Sequence, residues 1–588
     1  MLGEDVISLL HGSAGLLSAY AVVQGGLLAG LIRGRARSGR LMMSPLVAAP
    51  LTVVAGAGLA AATGFTSSLG VTAGGVVQLF AGVGCSAALG YTVGRRLARR
   101  SSPAVTYERG AIVMDECAGA TAVAGCARGA GGRVCTHHAR GITLAGLPVA
   151  AEDEAKHFKF IGTTGTGKST AIREMLSAAL ARGDRAVIAD PDGGYLRHFY
   201  DATRGDMILN PFDSRSAKWD LFGEVTNDYD VDQLARSLIP DHEGPDRSWR
   251  GYARTFLSAV TAQAHAAGSR EVSELYRLLV VAGTSELKTL VAGTPAQPFL
   301  EEHNGRMFDS IRSVTSSAVS ALEYVSRQRN ATLSVRDWVR GVSASPGMPT
   351  SMGNPGGVLF MPYRAGQIPA LRSIISAWMR LAIFEAMNRE EGVQRLWFVV
   401  DELDALGQID GLKDALARLR KFGGRCVLGF QSLAQVSATY GFGEAATITE
   451  NCGNTLILRC SGSEHGGTSQ FASRLIGERE VKRITRSRSR RVTELFASTT
   501  QAEHTGVEAA VMGSEIEQLP DLSGYLKLAS SPGWQRVRLS APVPQLRAEA
   551  APRTARILTF RRASTPEQRA GSAAVEQRLA ARDDFEVE

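Results

Sequence analysis

Cysteine is scarce in this sequence. Only seven cysteines occur among 588 residues, and their odd number and spacing do not resemble the disulfide framework of a small secreted domain. Three of them, Cys117, Cys126 and Cys135, are evenly spaced ahead of His137 and His138. They lack the C-x-x-C clip of most zinc sites. We interpret this stretch as a glycine-rich loop that carries thiols, with a metal site as the alternative.

Charge is absent from a long N-terminal stretch. No charged residue occurs in residues 41–93, which is enough for two membrane helices of about 20 residues each. The polar residues 63–68 mark a break between them, and residues 12–32 form a third uncharged stretch of spanning length. Their small residues suit close helix packing in lipid. The alternative is a core of buried soluble helices.

Basic residues flank these uncharged stretches. Residues 1–100 contain eight arginines and two acidic residues, so their net charge is +6 and the other 488 residues carry only +2. The acids Glu4 and Asp5, rather than basic residues, precede the uncharged residues 12–32, and this arrangement is not typical of a signal peptide. Because positive charge stays cytoplasmic, the arginines at 33–40 and 95–100 predict two or three spans with residues 95–588 in the cytoplasm. The high pI alone is no sign of nucleic-acid binding.

A glycine-rich phosphate loop follows the N-terminal region. The sequence Gly-Thr-Thr-Gly-Thr-Gly-Lys-Ser matches G-x-x-x-x-G-K-[ST] and lies between a strand-like run and a helix-prone segment. In such a loop backbone N–H groups surround a phosphate chain, Lys168 reaches the β- and γ-phosphates, and Ser169 holds Mg²⁺. We therefore predict ATP and Mg²⁺ as cofactors. The predicted nucleotide-binding residues are Gly162, Thr163, Thr164, Gly165, Thr166, Gly167, Lys168, Ser169 and Thr170.

Two adjacent acids follow an apolar run far downstream. Residues 396–400 are typical of a buried parallel strand, and they end in Asp401 and Glu402. A carboxylate at the carboxyl end of such a strand lies at the ligand-binding edge of the sheet. We assign Asp401 to Mg²⁺ together with Ser169, and Glu402 to activation of the attacking water. This predicts an ATP hydrolase; the alternative is a strand that ends in two acids at a surface turn.

The order of the apolar runs predicts an α/β fold with a mainly parallel sheet. Residues 185–190 complete a β-α-β unit after the phosphate loop, whereas strand-like runs disappear at 226–343 and helical patterns replace them. The predicted domains are a transmembrane region at 1–100, a linker and small β layer at 101–150, a nucleotide-binding domain at 151–225 and 344–545, an all-α insert at 226–343, and a flexible tail at 546–588.

Two further polar residues are candidates for hydrolysis. Gln431 ends the strand-like run at 425–431, where it is placed to sense the γ-phosphate or to position water. It is equally explained as an ordinary residue at a strand end. Arg420 precedes that run, and it is either a solvated helix end or a finger that reaches the γ-phosphate of a neighbouring subunit.

These motifs resemble those of type IV coupling proteins, which feed DNA into conjugative type IV secretion systems. The phosphate loop and the acid pair occur in many motor ATPases, whereas residues 209–213, 429–432 and 519–522 are more specific to this family. The resemblance implies a membrane-anchored, RecA-like P-loop ATPase in which Gln431 is the sensor and Arg420 the finger from the adjacent subunit.

The family also implies partners and a location. Its members receive a relaxase–DNA complex and drive DNA, single-stranded during transfer, through the channel of the secretion system. They are thought to form homohexamers in the bacterial inner membrane, with the ATPase domain in the cytoplasm. The family picture has two membrane helices, so the uncharged residues 12–32 are a departure from it.

The sequence is also compatible with three other functions. A coupling protein for secreted effector proteins fits the nearly neutral charge of residues 101–588. A septal chromosome translocase shares the spans and the motor, but it usually has four spans, a long linker and a C-terminal winged helix, which we do not recognise here. A membrane receptor that uses nucleotide only for assembly would not need Glu402 as a base.

Overall fold

The computed structural model divides the chain into two compact units. One comprises Met1–Arg109 with Glu480–Glu508, and the other comprises Gly110–Arg479 with Ala509–Glu588. The evenly spaced cysteines, the break at 63–68 and the predicted tail lie outside the described residues. The structure describes residues 13–33, 41–55, 75–99, 105–115, 141–241, 244–341, 357–390, 394–463, 466–489 and 498–540.

These ranges contain both strands and α-helices. The strands are β1 (Val105–Gly110), β2 (Val113–Met114), β3 (Thr143–Leu144), β4 (Leu147–Pro148), β5 (Phe158–Ile161), β6 (Arg185–Pro191), β7 (Met207–Ile208), β8 (Lys218–Trp219), β9 (Thr332–Leu333), β10 (Val358–Tyr363), β11 (Leu396–Val400), β12 (Gly424–Phe430), β13 (Asn454–Ile457), β14 (Glu478–Ser489), β15 (Ser498–Ala509), β16 (Ser523–Lys527) and β17 (Trp534–Arg538). The α-helices are α1 (Ser13–Arg33), α2 (Gly75–Arg99), α3 (Ala151–Glu154), α4 (Lys168–Ala181), α5 (Gly194–Phe199), α6 (Asp228–Leu238), α7 (Arg247–Ala266), α8 (Val272–Val280), α9 (Thr284–Leu290), α10 (Gly305–Val319), α11 (Leu322–Ser326), α12 (Val335–Arg340), α13 (Ile368–Ala386), α14 (Leu412–Leu419), α15 (Leu433–Tyr440), α16 (Phe442–Glu450), α17 (Gly467–Ile476) and α18 (Gly513–Glu517). Residues 41–55 are also mainly helical.

The first unit contains a close-packed pair of helices. Gly26 and Gly30 of α1 lie against α2, and Gly90 and Gly94 of α2 lie against α1. A Cβ atom on any of these glycines would overlap a carbonyl oxygen of the facing helix, so only glycine permits this approach. The G-x-x-x-G spacing in both helices therefore allows backbone contact between them.

The described helices can be compared with the predicted membrane spans in length and hydropathy. The described helical residues at 13–33, 41–55 and 75–99 lie within or close to the uncharged stretches. Among the residues that the structure describes, no helix combines the length and the hydropathy needed to cross a bilayer.

A three-stranded sheet also involves the first unit. Its order is β1-β14-β15. Residues 344–545 are predicted to belong to one domain, whereas the compact units group Glu480–Glu508 with the N-terminal residues. Two basic residues of β14 form ion pairs with acids of β15: Lys482 Nζ lies 2.8 Å from a carboxylate oxygen of Glu503, and Arg483 Nη2 lies 2.7 Å from one of Glu508.

A ten-stranded sheet organises the second unit. Its order is β2-β17-β16-β13-β5-β12-β11-β6-β10-β7. The strands from β13 to β7 are parallel, whereas β16 and β17 are added antiparallel. Apolar clusters cover both faces, one including α4 and the other α13, which explains why these parallel strands are continuously apolar. The predicted α/β fold with a mainly parallel sheet is confirmed.

The described residues between β8 and β10 are mainly helical. Helices α6 to α12 lie there, but the two-residue strand β9 pairs in parallel with β8. Buried Glu224 joins this end of the insert to the core. Its carboxylate accepts hydrogen bonds from the backbone N–H of Val335 at 2.6 Å and of Arg336 at 3.1 Å, and from Trp219 Nε1 at 2.9 Å. The inserted segment is thus not purely helical.

Buried His157 connects the start of β5 to its neighbours. Its Nδ1 accepts a hydrogen bond from the backbone N–H of Cys426 at 3.0 Å, so Nε2 carries the proton, and it lies 2.9 Å from the carbonyl oxygen of Leu416. The pKa of His157 is lowered to about 4, mainly by burial and also by the charges of Arg425 and Arg420, whereas the hydrogen bond to Leu416 opposes this decrease. The neutral ring is therefore the form that fits the folded chain.

We expect the free energy of unfolding to fall as the pH decreases from 6.5 to about 4. In this window the unfolded chain binds a proton at His157 that the folded chain does not, so this residue contributes a slope of at most about 1.4 kcal/mol per pH unit. Urea unfolding at several pH values measures it. His157→Gln should flatten the profile and the exposed His303→Gln should not; equal slopes in all three proteins would contradict the assignment.

Candidate nucleotide site

The phosphate loop joins β5 to the N-terminus of α4. Gly165 and Gly167 have φ angles of +79° and +117°, which favour glycine. Lys168 Nζ donates hydrogen bonds to the carbonyl oxygens of Gly162 at 2.6 Å and Thr163 at 3.2 Å. The ammonium group thus lies inside the loop, where phosphate oxygens can replace these carbonyl partners.

The remaining predicted loop residues either line the cleft or support it. Thr166 is buried, and its hydroxyl donates to the carbonyl oxygen of Thr163 at 2.8 Å. The cleft has a volume of about 320 Å³, which suits a small-molecule ligand. The predicted residues that line it are Thr164, Gly165, Gly167, Lys168, Ser169, Thr170, Asp401, Glu402 and Gln431.

Asp401, at the end of β11, contacts the loop directly. Ser169 Oγ donates a hydrogen bond to Asp401 Oδ2 at 2.6 Å. The other carboxylate oxygen, Oδ1, is buried and has no hydrogen-bond partner. Leaving a buried acceptor unpaired costs about 1–3 kcal/mol, more for a charged group, so a ligand is expected there. Because Mg²⁺ prefers oxygen ligands, Ser169 Oγ and Asp401 Oδ1 fit a metal ion or its bound water.

Gln431 holds Glu402 beside the phosphate loop. Gln431 Nε2 donates to Glu402 Oε1 at 2.8 Å, and Gln431 Oε1 accepts a hydrogen bond from Thr164 Oγ1 at 3.0 Å. Burial raises the pKa of Glu402, and the charge of Asp401 raises it too, whereas the Gln431 hydrogen bond opposes the rise. A carboxylate with a raised pKa is well suited to act as a general base.

Arg420 lies at the opposite edge of the sheet in its own chain. It is exposed in the turn before β12, whereas Gln431 follows the carboxyl end of that strand. A strand advances about 3.3 Å per residue, so the length of β12 separates the two side chains. The structure does not bring Arg420 to the cleft of the same chain, and its role toward a neighbouring subunit stays a prediction.

Three residues of the cleft were missed by sequence reasoning: Tyr195, Arg173 and Leu522. Tyr195 donates its hydroxyl proton to Asp401 Oδ2 at 2.8 Å. Leu522 has a φ of +63°, and its backbone N–H donates to the carbonyl oxygen of Thr166 at 3.0 Å. Two features of the sequence could have indicated these residues. Tyr195 follows an Asp-Gly-Gly turn, and Leu522 lies in residues 519–522, which are among the segments more specific to the family.

Comparison with known proteins gives the chain a family. Residues 141–540 match the family described as Type IV secretion-system coupling protein DNA-binding domain. Coupling protein TraD of Escherichia coli (strain K12) is 32% identical over 391 residues, which represent 66% of this chain and 53% of TraD. The chain thus spans about half the length of this curated relative.

Solved structures of the plasmid coupling protein TrwB are similar to this chain. TrwB in complex with the non-hydrolysable ATP analogue ADPNP has 29% identity and a TM-score of 0.63, with 76% of this chain and 98% of TrwB covered. Its complex with ADP and Mg²⁺ has 29% identity and a TM-score of 0.63, with 77% and 99% covered. These findings confirm the resemblance seen in the motifs, and the chain belongs to the type IV secretion-system coupling protein family.

Proposed function

We propose that this chain is an ATP-hydrolysing motor that couples a relaxase–DNA complex to a type IV secretion channel and pumps the DNA during conjugation. The observation that carries the proposal is the junction of the phosphate loop with the acid pair, in which Ser169 bonds Asp401 and Gln431 holds Glu402. The names of TraD and TrwB as coupling proteins support it, as do the TrwB complexes with ADPNP and with ADP and Mg²⁺.

The phosphate loop binds the phosphates of the nucleotide. Lys168 Nζ exchanges its carbonyl partners for β- and γ-phosphate oxygens, while the N-terminus of α4 offers its backbone N–H groups. Ser169 Oγ and Asp401 Oδ1 are the oxygen atoms placed to hold Mg²⁺. When bound, Mg²⁺ neutralises charge on the β- and γ-phosphates. Residues from two distant segments of the sequence thus bind the nucleotide and its Mg²⁺ in one cleft.

Hydrolysis depends on Glu402. Its carboxylate accepts a proton from water as the water oxygen bonds to the γ-phosphorus and the bond to the β-phosphate oxygen breaks. The γ-phosphate competes with Gln431 for the Thr164 hydroxyl, so nucleotide entry loosens the contact that holds Gln431 on Glu402. Gln431 is in this way the sensor that connects the phosphate to the base.

We extend the proposal to assembly and location. The chain acts as a homohexamer anchored in the bacterial inner membrane, with the ATPase in the cytoplasm. The uncharged N-terminal stretches, the flanking arginines and the glycine contacts between α1 and α2 support the anchor. The exposure of Arg420 leaves its guanidinium available to a neighbouring subunit as a finger for the γ-phosphate.

A second function is favoured by one observation. The 488 residues after position 100 carry a net charge of only +2, which is low for a surface that follows a phosphate backbone. A coupling protein that delivers effector proteins would need no such charge. Its ATP hydrolysis would not respond to DNA.

Single-stranded DNA is expected to stimulate ATP hydrolysis by the chain in detergent micelles severalfold. The stimulated rate should be lost in both Lys168→Ala and Glu402→Gln, because each removes a different part of the nucleotide site. Hydrolysis that does not respond to DNA would favour effector coupling. Binding of ATP without hydrolysis, at concentrations where the chain forms rings, would contradict the motor and favour a nucleotide-gated receptor.

A further inference from the structure

Tyr195 shares an acceptor with the phosphate loop. Its side chain is buried, with 2% of the residue surface exposed. Its hydroxyl donates to Asp401 Oδ2 at 2.8 Å, and Ser169 Oγ donates to the same oxygen at 2.6 Å. Two donors thus hold one oxygen of the carboxylate, while the other oxygen, Oδ1, is buried without a partner.

The main chain fixes the position of Tyr195. The fully buried carboxylate of Asp190, in β6, accepts the backbone N–H of Tyr195 at 3.0 Å and of Leu196 at 2.7 Å. Strand β6 pairs with β11 so that Ala189 lies opposite Val400, which places Asp190 and Asp401 side by side at the sheet edge. The hydroxyl of Tyr195 therefore reaches Asp401 from the start of a helix whose backbone N–H groups are held by Asp190.

The glycine-rich turn after β6 makes this reach possible. Asp192 and Gly193 have φ angles of +57° and +65°, and the backbone N–H of Asp192 donates to the carbonyl oxygen of Tyr363 at 2.7 Å. The turn reverses the chain within a few residues and starts α5 at the edge of the sheet. The sequence Asp-Pro-Asp-Gly-Gly thereby acquires a role that the nucleotide motifs do not explain.

We propose that Tyr195 is a positioning residue for the Mg²⁺ site. Its hydroxyl orients the Asp401 carboxylate so that Oδ1 faces the metal ion or its bound water. The proposal rests on the nucleotide binding proposed above. A purely structural role would depend on the ring, which phenylalanine retains, whereas positioning depends on the hydroxyl. Loss of a group that orients a metal ligand typically weakens metal affinity about 10- to 100-fold.

Binding of a fluorescent ADP analogue to the chain in detergent micelles, titrated with Mg²⁺, tests this proposal. In Tyr195→Phe we expect the affinity for the analogue without Mg²⁺ to be unchanged and the Mg²⁺ midpoint to rise about 10- to 100-fold. Saturating Mg²⁺ should restore tight binding. Ser169→Ala provides the reference, because it removes a direct ligand and should abolish the effect of Mg²⁺.

Tyr440→Phe is the matched control. It also removes a buried hydroxyl that is hydrogen-bonded, since the Tyr440 hydroxyl accepts from the N–H of Ile409 at 3.2 Å and donates to the carbonyl oxygen of Gly407 at 3.3 Å. Tyr440 does not line the cleft, so its Mg²⁺ midpoint should equal that of the parent chain. The melting temperature with ADP, with and without Mg²⁺ near the midpoint of the parent chain, gives a second measurement: at this concentration Tyr195→Phe should lose most of the increase that Mg²⁺ adds, and saturating Mg²⁺ should restore it.

Each outcome has a defined meaning. An unchanged Mg²⁺ midpoint in Tyr195→Phe, with the effect abolished in Ser169→Ala, would overturn the positioning role and leave the nucleotide site intact. An equal shift in Tyr440→Phe would also overturn it, because the effect would then be a general loss of packing. If the parent chain itself bound no ADP analogue, the proposed nucleotide function would fail instead.

Discussion

Glu402→Gln is expected to lower kcat for ATP hydrolysis by about 100- to 10,000-fold, the range that general-base catalysis contributes. The amide cannot accept the proton of the attacking water, but it retains the shape of the carboxylate and can still bond Gln431. Lys168 and Ser169 remain in place, so ATP binding should be nearly unchanged. Steady-state hydrolysis and equilibrium binding of a fluorescent ATP analogue measure the two properties separately.

Glu444→Gln is a matched control for this variant. Glu444 is also a partly buried glutamate whose pKa is raised by burial, and its Oε2 accepts a long hydrogen bond from Gln408 Nε2 at 3.4 Å. It lies in α16 and does not line the cleft. Glu444→Gln should therefore hydrolyse ATP at the parent rate. If Glu402→Gln did the same, Glu402 would not be the base.

Local patterns were sufficient for much of the site. The phosphate loop and the apolar run before Asp401 are each a single uninterrupted segment of the sequence. The pattern of each segment is typical of one local backbone structure. Their proximity followed from a general rule, because the carboxyl ends of parallel strands share one edge of the sheet. The sequence alone therefore predicts that Lys168, Ser169 and Asp401 lie close together.

The order of strands could not be read from such patterns. Apolar runs show that a strand is buried, but not which strand lies next to it. The place of β12 between β5 and β11 is what puts Gln431 within reach of both Thr164 and Glu402. The sequence alone is compatible with Gln431 as a sensor or as an ordinary residue at a strand end, because the difference depends on tertiary pairing.

Contacts between distant segments were missed for the same reason. Tyr195 contacts Asp401 across 206 positions of the chain, and the Asp-Gly-Gly turn before Tyr195 does not show which residue its hydroxyl contacts. Leu522 packs on the phosphate loop in a left-handed backbone conformation that bulky residues rarely adopt. Such a position is visible only when the surrounding structure enforces it.

Gly429→Ala is expected to lower ATP hydrolysis about 100-fold, because a displacement of about 1 Å in a reacting group has an effect of this size. Gly429 lies in β12 beside the end of β11. A Cβ atom on Gly429 would overlap the main-chain oxygen of Asp401 and lie 3.2 Å from its Oδ1. A backbone clash cannot be relieved by a change of side-chain rotamer, so Asp401 must move. Overpacking of this kind also destabilises the fold by about 1–3 kcal/mol.

Gly443→Ala separates this local clash from the general effect of adding a methyl group. No atom lies within 4 Å of a Cβ atom on Gly443, in α16, and alanine is favoured over glycine in a helix by about 1 kcal/mol. This variant should be as stable as the parent chain or more so, with unchanged hydrolysis.

Urea unfolding and steady-state hydrolysis measure both variants. A fully active Gly429→Ala would mean that Asp401 tolerates the shift; a selective loss would explain why residues 429–432 combine a glycine, for the close approach of β11, with Gln431 two positions later, for the base.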